Sequence, residues 1–122
     1  MEEEDILLDN NTRNKIINIL KNTSFENINI HGHYFNKFGK PRHNISLEKV
    51  KEIYYQFDKI IAVTKRKSLL GFKYCFTYRM SENTSYKLMF FLDEKPIQLF
   101  NALSFGKNAE KRLIKKFFGF NW

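Results

Sequence analysis

Hydrophobic positions recur at helical spacing in the first half of the chain and at every second residue in much of the rest. Ile16, Ile17 and Leu20 lie on one helical face, which predicts a first helix over about Asn11 to Lys21, with Asn11 or Thr12 as its cap. Ile28 and Ile30 then alternate with Asn27, Asn29 and His31, a pattern that permits a short extended segment. Gly32, Gly39 and Pro41 are expected to break regular structure after it. A second helix is strongly marked. Ser46 offers a cap oxygen, Glu48 suits the positive end of the helix dipole, and Ile45 with Val50 have the spacing of a hydrophobic staple. Leu47, Val50, Ile53, Tyr54 and Phe57 form its apolar stripe, which must pack on something larger, most simply a sheet.

From Lys59 the period becomes two. Ile60 to Arg66 reads as a strand, Leu69 to Gly71 as a break, and Phe72 to Met80 as a second strand. In the latter, Phe72, Tyr74, Phe76, Tyr78 and Met80 point one way and Lys73, Cys75, Thr77 and Arg79 the other, so one face is core and the other is free to work. Tyr86 to Leu92 and Ile97 to Phe105 supply two more strands, joined by the turns Ser81 to Ser85 and Asp93 to Pro96. Short connections favour an antiparallel meander. Lys107 to Phe118 predicts a short basic helix, with Ala109, Leu113, Ile114 and Phe117 inward and Lys111, Arg112, Lys115 and Lys116 outward. The predicted fold class is α+β: N-terminal helices packed on a four-stranded antiparallel sheet, followed by that C-terminal helix. Residues 1–10 are expected to be an acidic, flexible N-terminus and residues 11–122 a single domain.

Composition supports a folded domain, since 122 residues can bury a core without staples and the chain holds 13 Phe against only 5 Gly and 2 Pro. A lone cysteine excludes an internal disulfide, and Cys75 reads as an inert buried thiol. The start MEEED is acidic where a signal peptide is basic, and no apolar run approaches the ~20 residues of a membrane span. The expectation is a soluble, cytoplasmic protein with no membrane partner.

Charge narrows the class. The chain carries +8, and setting aside the four acids of Glu2, Glu3, Glu4 and Asp5 takes the remaining body to +12. Three stretches hold no acid: Asn27 to Leu47, Lys59 to Ser81 and Lys95 to Ala109. Clustered cations of this kind point to a polyanion, although an acidic protein would be drawn to the same surface.

All three histidines, His31, His33 and His43, fall in one of those acid-free stretches. They have a metal-ligand reading, but no carboxylate supports it locally and Lys37, Lys40 and Arg42 would repel a cation, so neither metal nor cofactor is expected. Acid–base work on a phosphodiester suits them better. Imidazole moves protons near neutral pH, while Arg and Lys hold a phosphate and stabilise its developing charge.

A His, a short spacer, an Arg and then Ile-Ser-Leu-Glu opening a helix (His31 or His33, Arg42, Ile45 to Glu48), followed by four strands, resembles the small BECR nucleases. That superfamily groups barnase, EndoU, colicin-type and RelE-like ribonucleases, and the similarity, which spans His31 to Ser104, is greatest to members carried by phages and mobile elements. The resemblance implies a metal-independent endoribonuclease, or ribonuclease-like toxin, in which the RNA 2′-hydroxyl attacks the adjacent phosphate. His33 or His31 would be general base or acid, and Arg42 a phosphate or structural anchor. Lys73, Thr77 and Arg79, with Lys87 and Ser104 further along, would face the substrate. No histidine follows His43, so Tyr78, Lys87 or Ser104 would have to replace any histidine the family draws from its last strand. Lys40, His43, Lys65, Arg66 and Lys87 are the expected RNA contacts. Tyr34 is expected to stack on a base, with Phe35 and Phe38 as core or loop anchors.

The expected partners are RNA and an acidic antitoxin or inhibitor protein. The alternative is a non-catalytic nucleic-acid-binding or protein-blocking accessory protein of a virus or mobile element. A structural protein assembling through Phe117, Phe118, Phe120 and Trp122 is a third reading.

Overall fold

The computed structural model describes residues 5–40, 43–69 and 71–105. Helix α1 spans Asn10–Lys21 and buries Ile17 and Leu20. Its cap is Asp9 rather than Asn11 or Thr12: the Asp9 carboxylate accepts from the Thr12 N–H at 2.8 Å. Helix α3 spans Leu47–Tyr54 and starts as its sequence predicts, with the Ser46 hydroxyl accepting from the Lys49 N–H at 3.2 Å. Val50, Ile53 and Tyr54 are buried beneath it, and Ile45 is buried beside them as the staple requires.

Four long strands follow: β3 (Ile60–Ser68), β4 (Gly71–Ser81), β5 (Thr84–Phe91) and β6 (Gln98–Phe105). They pair as an antiparallel meander. Gly71, at φ 112°, makes the turn between β3 and β4, a backbone angle that a side chain would oppose. Two two-residue strands complete the sheet. Strand β1 (Ile6–Leu7) pairs antiparallel with β3, and β2 (Asn29–Ile30) pairs parallel with β6. The result is a six-stranded mixed sheet in the order β1-β3-β4-β5-β6-β2, not the four-stranded antiparallel sheet expected. Two residues are too few to display a period of two, and both short strands are defined by what they pair with. The predicted C-terminal helix lies outside the described residues.

A third helix, α2 (Gly32–Lys37), stands where Gly32 was expected to break the chain. Gly32 is its first residue, where a glycine costs little, and His31 provides the cap.

The core lies between the helices and one face of the sheet. Tyr74, Phe76 and Tyr78 of β4 join Val63, Leu88, Phe90 and Leu99 there, with α1 and α3 supplying Leu20, Val50 and Ile53. Buried hydroxyls tie the layers together. The Tyr54 hydroxyl lies 2.8 Å from the Leu20 carbonyl oxygen and 2.7 Å from that of Thr23, and the Tyr78 hydroxyl donates to the Tyr54 carbonyl at 3.1 Å. Both phenols are pushed upward in pKa, chiefly by burial, and stay neutral donors.

The second face carries Lys73, Cys75, Thr77 and Arg79 as the alternation predicts, but its centre is not open to solvent. Thr77 is 3% exposed, Ser85 2% and Asn101 7%, so the expectation of a working platform along the whole face is corrected. One irregularity on this side matters. Asn101 pairs with Met89 while Leu99 pairs with Phe90, leaving Phe100 as the extra residue of a β-bulge. A bulge re-aims the side chain it carries. Among the described residues no helix is long and apolar enough to cross a membrane.

Candidate active site

Phe100, placed by that bulge, is the floor on which two of the three histidines gather. The His33 ring stacks on it with centroids 4.2 Å apart and planes 7° from parallel. His31 packs against the same ring at 5.3 Å and against Phe91 at 6.0 Å, while Phe91 meets Phe100 edge-on at 5.0 Å. From β4, the Lys73 ammonium reaches to 5.2 Å from the Phe100 centroid. Residues from α2, the loop before it and three strands thus converge at one end of the sheet, where β2 aligns Ile30 with Leu99 and the His31 N–H donates to the Leu99 carbonyl at 2.9 Å.

Hydrogen bonds assign two of the three imidazoles distinct roles. The His31 Nδ1 accepts from the His33 N–H at 3.0 Å, so it carries no proton, and the neutral ring is protonated on Nε2. His43 is held in the opposite sense. The Asn101 side-chain oxygen accepts from the Ala102 N–H at 2.9 Å and lies 3.0 Å from the His43 Nδ1. An oxygen only accepts, so Nδ1 is the donor and the lone pair of neutral His43 lies on Nε2. His43 therefore takes a second proton without losing its anchor, whereas His31 cannot do so at Nδ1 without releasing the helix cap.

His33 has its pKa lowered from the usual 6.5, first by burial and then by the charge that Lys37, His31, His43 and Lys73 exert on it when protonated. A half-buried imidazole among cations stays unprotonated to lower pH than a free one. Lys37 and Lys73 set two cations beside it, which suits an anionic ligand. Among the described residues no group of three or more His, Cys, Asp and Glu side chains is placed to hold a metal ion.

No family model, curated protein or solved structure matches the chain. The site must therefore be read from its own chemistry.

The expected residues divide into those that join the cluster and those that do not. His31, His33, His43 and Lys73 join it, and Lys40 adjoins it, because the His43 N–H donates to the Lys40 carbonyl at 2.9 Å. Arg42 lies outside the described residues. Thr77 and Arg79 lie four and six residues from Lys73 along β4, about 13 and about 20 Å at the strand rise, and Thr77 is also buried, so neither shares the site. Lys87 pairs with Thr77 across the strands, and its ammonium sits 4.7 Å from the Phe105 centroid. Lys65 has the register of Tyr74, on the helix side of the sheet, with its ammonium 4.0 Å from the Phe72 centroid. Arg66 makes a two-pronged ion pair with Asp5, at 2.8 and 2.9 Å.

Tyr34 was expected to stack on bases but is 3% exposed, and its hydroxyl donates to the Ile45 carbonyl, so it is a core residue. Phe35 and Phe38, expected to be anchors, are 57% and 48% exposed and are the open aromatics of the histidine segment. Tyr78 is fully buried and cannot replace a missing histidine. Cys75 is a neutral thiol, its pKa pushed up to about 11 by burial. Sequence reasoning missed Phe100 and Asn101. Nothing local distinguishes them from other strand residues, because both gain their roles from partners far away in the chain.

Proposed function

We propose that the protein is a metal-independent endoribonuclease. One observation carries the reading: two imidazoles, His31 and His33, and the Lys73 ammonium gather around one aromatic floor, with Lys37 and His43 near enough for their charge to act on His33. The arrangement suits transphosphorylation of RNA. His33, kept neutral, takes the proton of the 2′-hydroxyl as its oxygen bonds to phosphorus. The bond from phosphorus to the 5′-oxygen breaks, and His43, protonated on both nitrogens and anchored by Asn101, gives that oxygen its proton. The Nε2–H of His31 and the ammonium of Lys73 hold the phosphate oxygens as charge builds. The products are a 2′,3′-cyclic phosphate and a 5′-hydroxyl, and no redox partner or cofactor enters. Exposed Phe35, three residues beyond Gly32, is available for stacking on a base.

The test is cleavage of labelled RNA by the purified chain in the presence of a chelator. His33→Ala should lose about 100-fold or more in rate, the usual scale of acid–base catalysis, while RNA affinity is largely kept. RNA left intact over about pH 5 to 8, with and without added metal, would overturn the enzyme. Salt-sensitive binding without cleavage would instead favour the accessory nucleic-acid-binding protein.

A further inference from the structure

A groove of about 350 Å³ opens one residue beyond His43, on the helix side of the sheet. Phe38 closes α2 at one wall, and Asn44 and Ser46 lead into α3, which contributes Lys49 from its first turn. Tyr86 and Ser104, directly opposite each other on β5 and β6, form the other wall. Its volume falls at the lower end of the range of small-ligand sites, about 300 to 1,000 Å³, which suits one nucleotide rather than a folded partner.

The lining has the parts such a ligand needs. Two aromatic side chains offer faces to a flat heterocycle. The Asn44 amide offers both a donor and an acceptor to its edge, and the Ser46 hydroxyl, which accepts from the Lys49 N–H, still has its own proton to donate. Lys49 supplies a cation, and among the described residues no carboxylate lines the groove. The Lys49 ammonium lies 3.5 Å from Glu52, but both side chains are largely exposed, so that pair is weak and a phosphate can compete for it. Phe38, 48% exposed, has ring surface left for a ligand. The groove joins the histidine segment through the chain itself, because Asn44 in its lining directly follows His43.

We infer that this groove binds a single nucleotide unit, its base against Phe38 and Tyr86 and its phosphate at Lys49, and that it selects the residue flanking the bond to be cut. The selection rests on the ribonuclease reading, whereas the binding stands without it.

The experiment follows backbone amide resonances of the full chain during titration with each of the four nucleoside 5′-monophosphates, with the corresponding nucleosides and with inorganic phosphate. Saturable shifts at Phe38, Asn44, Lys49 and Ser104 are expected, largest for one base. Phe38→Ala should weaken that nucleotide by about tenfold, as loss of a stacking contact does. Lys49→Gln should remove the advantage of the nucleotide over its nucleoside. Asn44→Ala, at an exposed loop position, should alter the preference among bases without touching the core. Groove amides that stay still while those of His31, His33 and Lys73 move would overturn the site, as would an unchanged affinity in Phe38→Ala or an effect reproduced in full by phosphate alone. Sequencing of RNA cut sites separates the two readings. Nucleotide binding in the groove without any cleavage keeps the site and removes the nuclease. Cleavage whose base preference survives Phe38→Ala keeps the nuclease and removes the site.

Discussion

His33 couples the proposed chemistry to the stability of the fold. Its pKa is lowered from 6.5, so on acidification the unfolded chain takes up this proton before the folded chain does. The stabilisation associated with neutral His33 is full above about pH 6.5 and is lost as pH falls through the lower, folded value. Melting temperature should therefore fall on the acid side, and the slope should be shallower in His33→Ala. An equally steep slope in that variant would show that other groups carry it. The same depression predicts that cleavage persists below pH 6.5, where an ordinary imidazole base would already be mostly protonated. Tyr34 gives a complementary test. Its hydroxyl donates to the buried Ile45 carbonyl, so Tyr34→Phe should cost about 1 to 3 kcal/mol of folding stability by orphaning that oxygen, with RNA affinity unchanged. A loss of affinity at equal stability would mean that the ring reaches RNA after all.

Two helices show what local signals can and cannot specify. Ser46, Glu48 and the Ile45/Val50 pair define the start of α3 from residues within one turn of one another, and the helix begins there. Ser46→Ala should cost about 1 kcal/mol in denaturant unfolding, the usual value of such a cap, and a stability within a few tenths of the parent would show that the cap contributes little. Helix α2 was not legible. Its cap is an imidazole, its first residue a glycine, and its buried Tyr34 is held by a carbonyl 11 residues away. The sheet repeats the contrast. The alternation from Phe72 to Met80 shows which side of β4 is core, because residues two apart share a face whatever lies next to them. The bulge at Phe100 depends on how β6 pairs with β5, and the stacking of His33 upon it joins positions 67 residues apart in sequence. The histidine-rich segment was thus visible as candidate chemistry, while its floor, its tautomers and the exclusion of Thr77 and Arg79 required the tertiary structure.

At the scale of the molecule, basic charge and a layered α+β body were both apparent from composition and period, and the outermost strands were not. Strand β1 lies beside β3 in residues that the sequence places in an acidic tip. The Leu8 N–H donates to the Val63 carbonyl at 3.0 Å, and an Arg13 guanidinium nitrogen donates to the Ile61 carbonyl at 3.3 Å. Asp5 clamps Arg66 at the far end of the same border. The Leu8 and Arg13 contacts occupy carbonyls that β3 would otherwise present outward. An uncovered strand border recruits the same border of another molecule, which is how sheets grow into aggregates. Removing residues 1–8 should therefore leave the four-strand centre able to form but drive concentration-dependent self-association, seen as rising light scattering at protein concentrations where the full chain stays monodisperse. A truncated chain that scatters no more than its parent would show β3 to be protected by other means. On that prediction the segment from Asp5 to Leu8, unremarkable as a sequence, is a guard against fibril-like stacking.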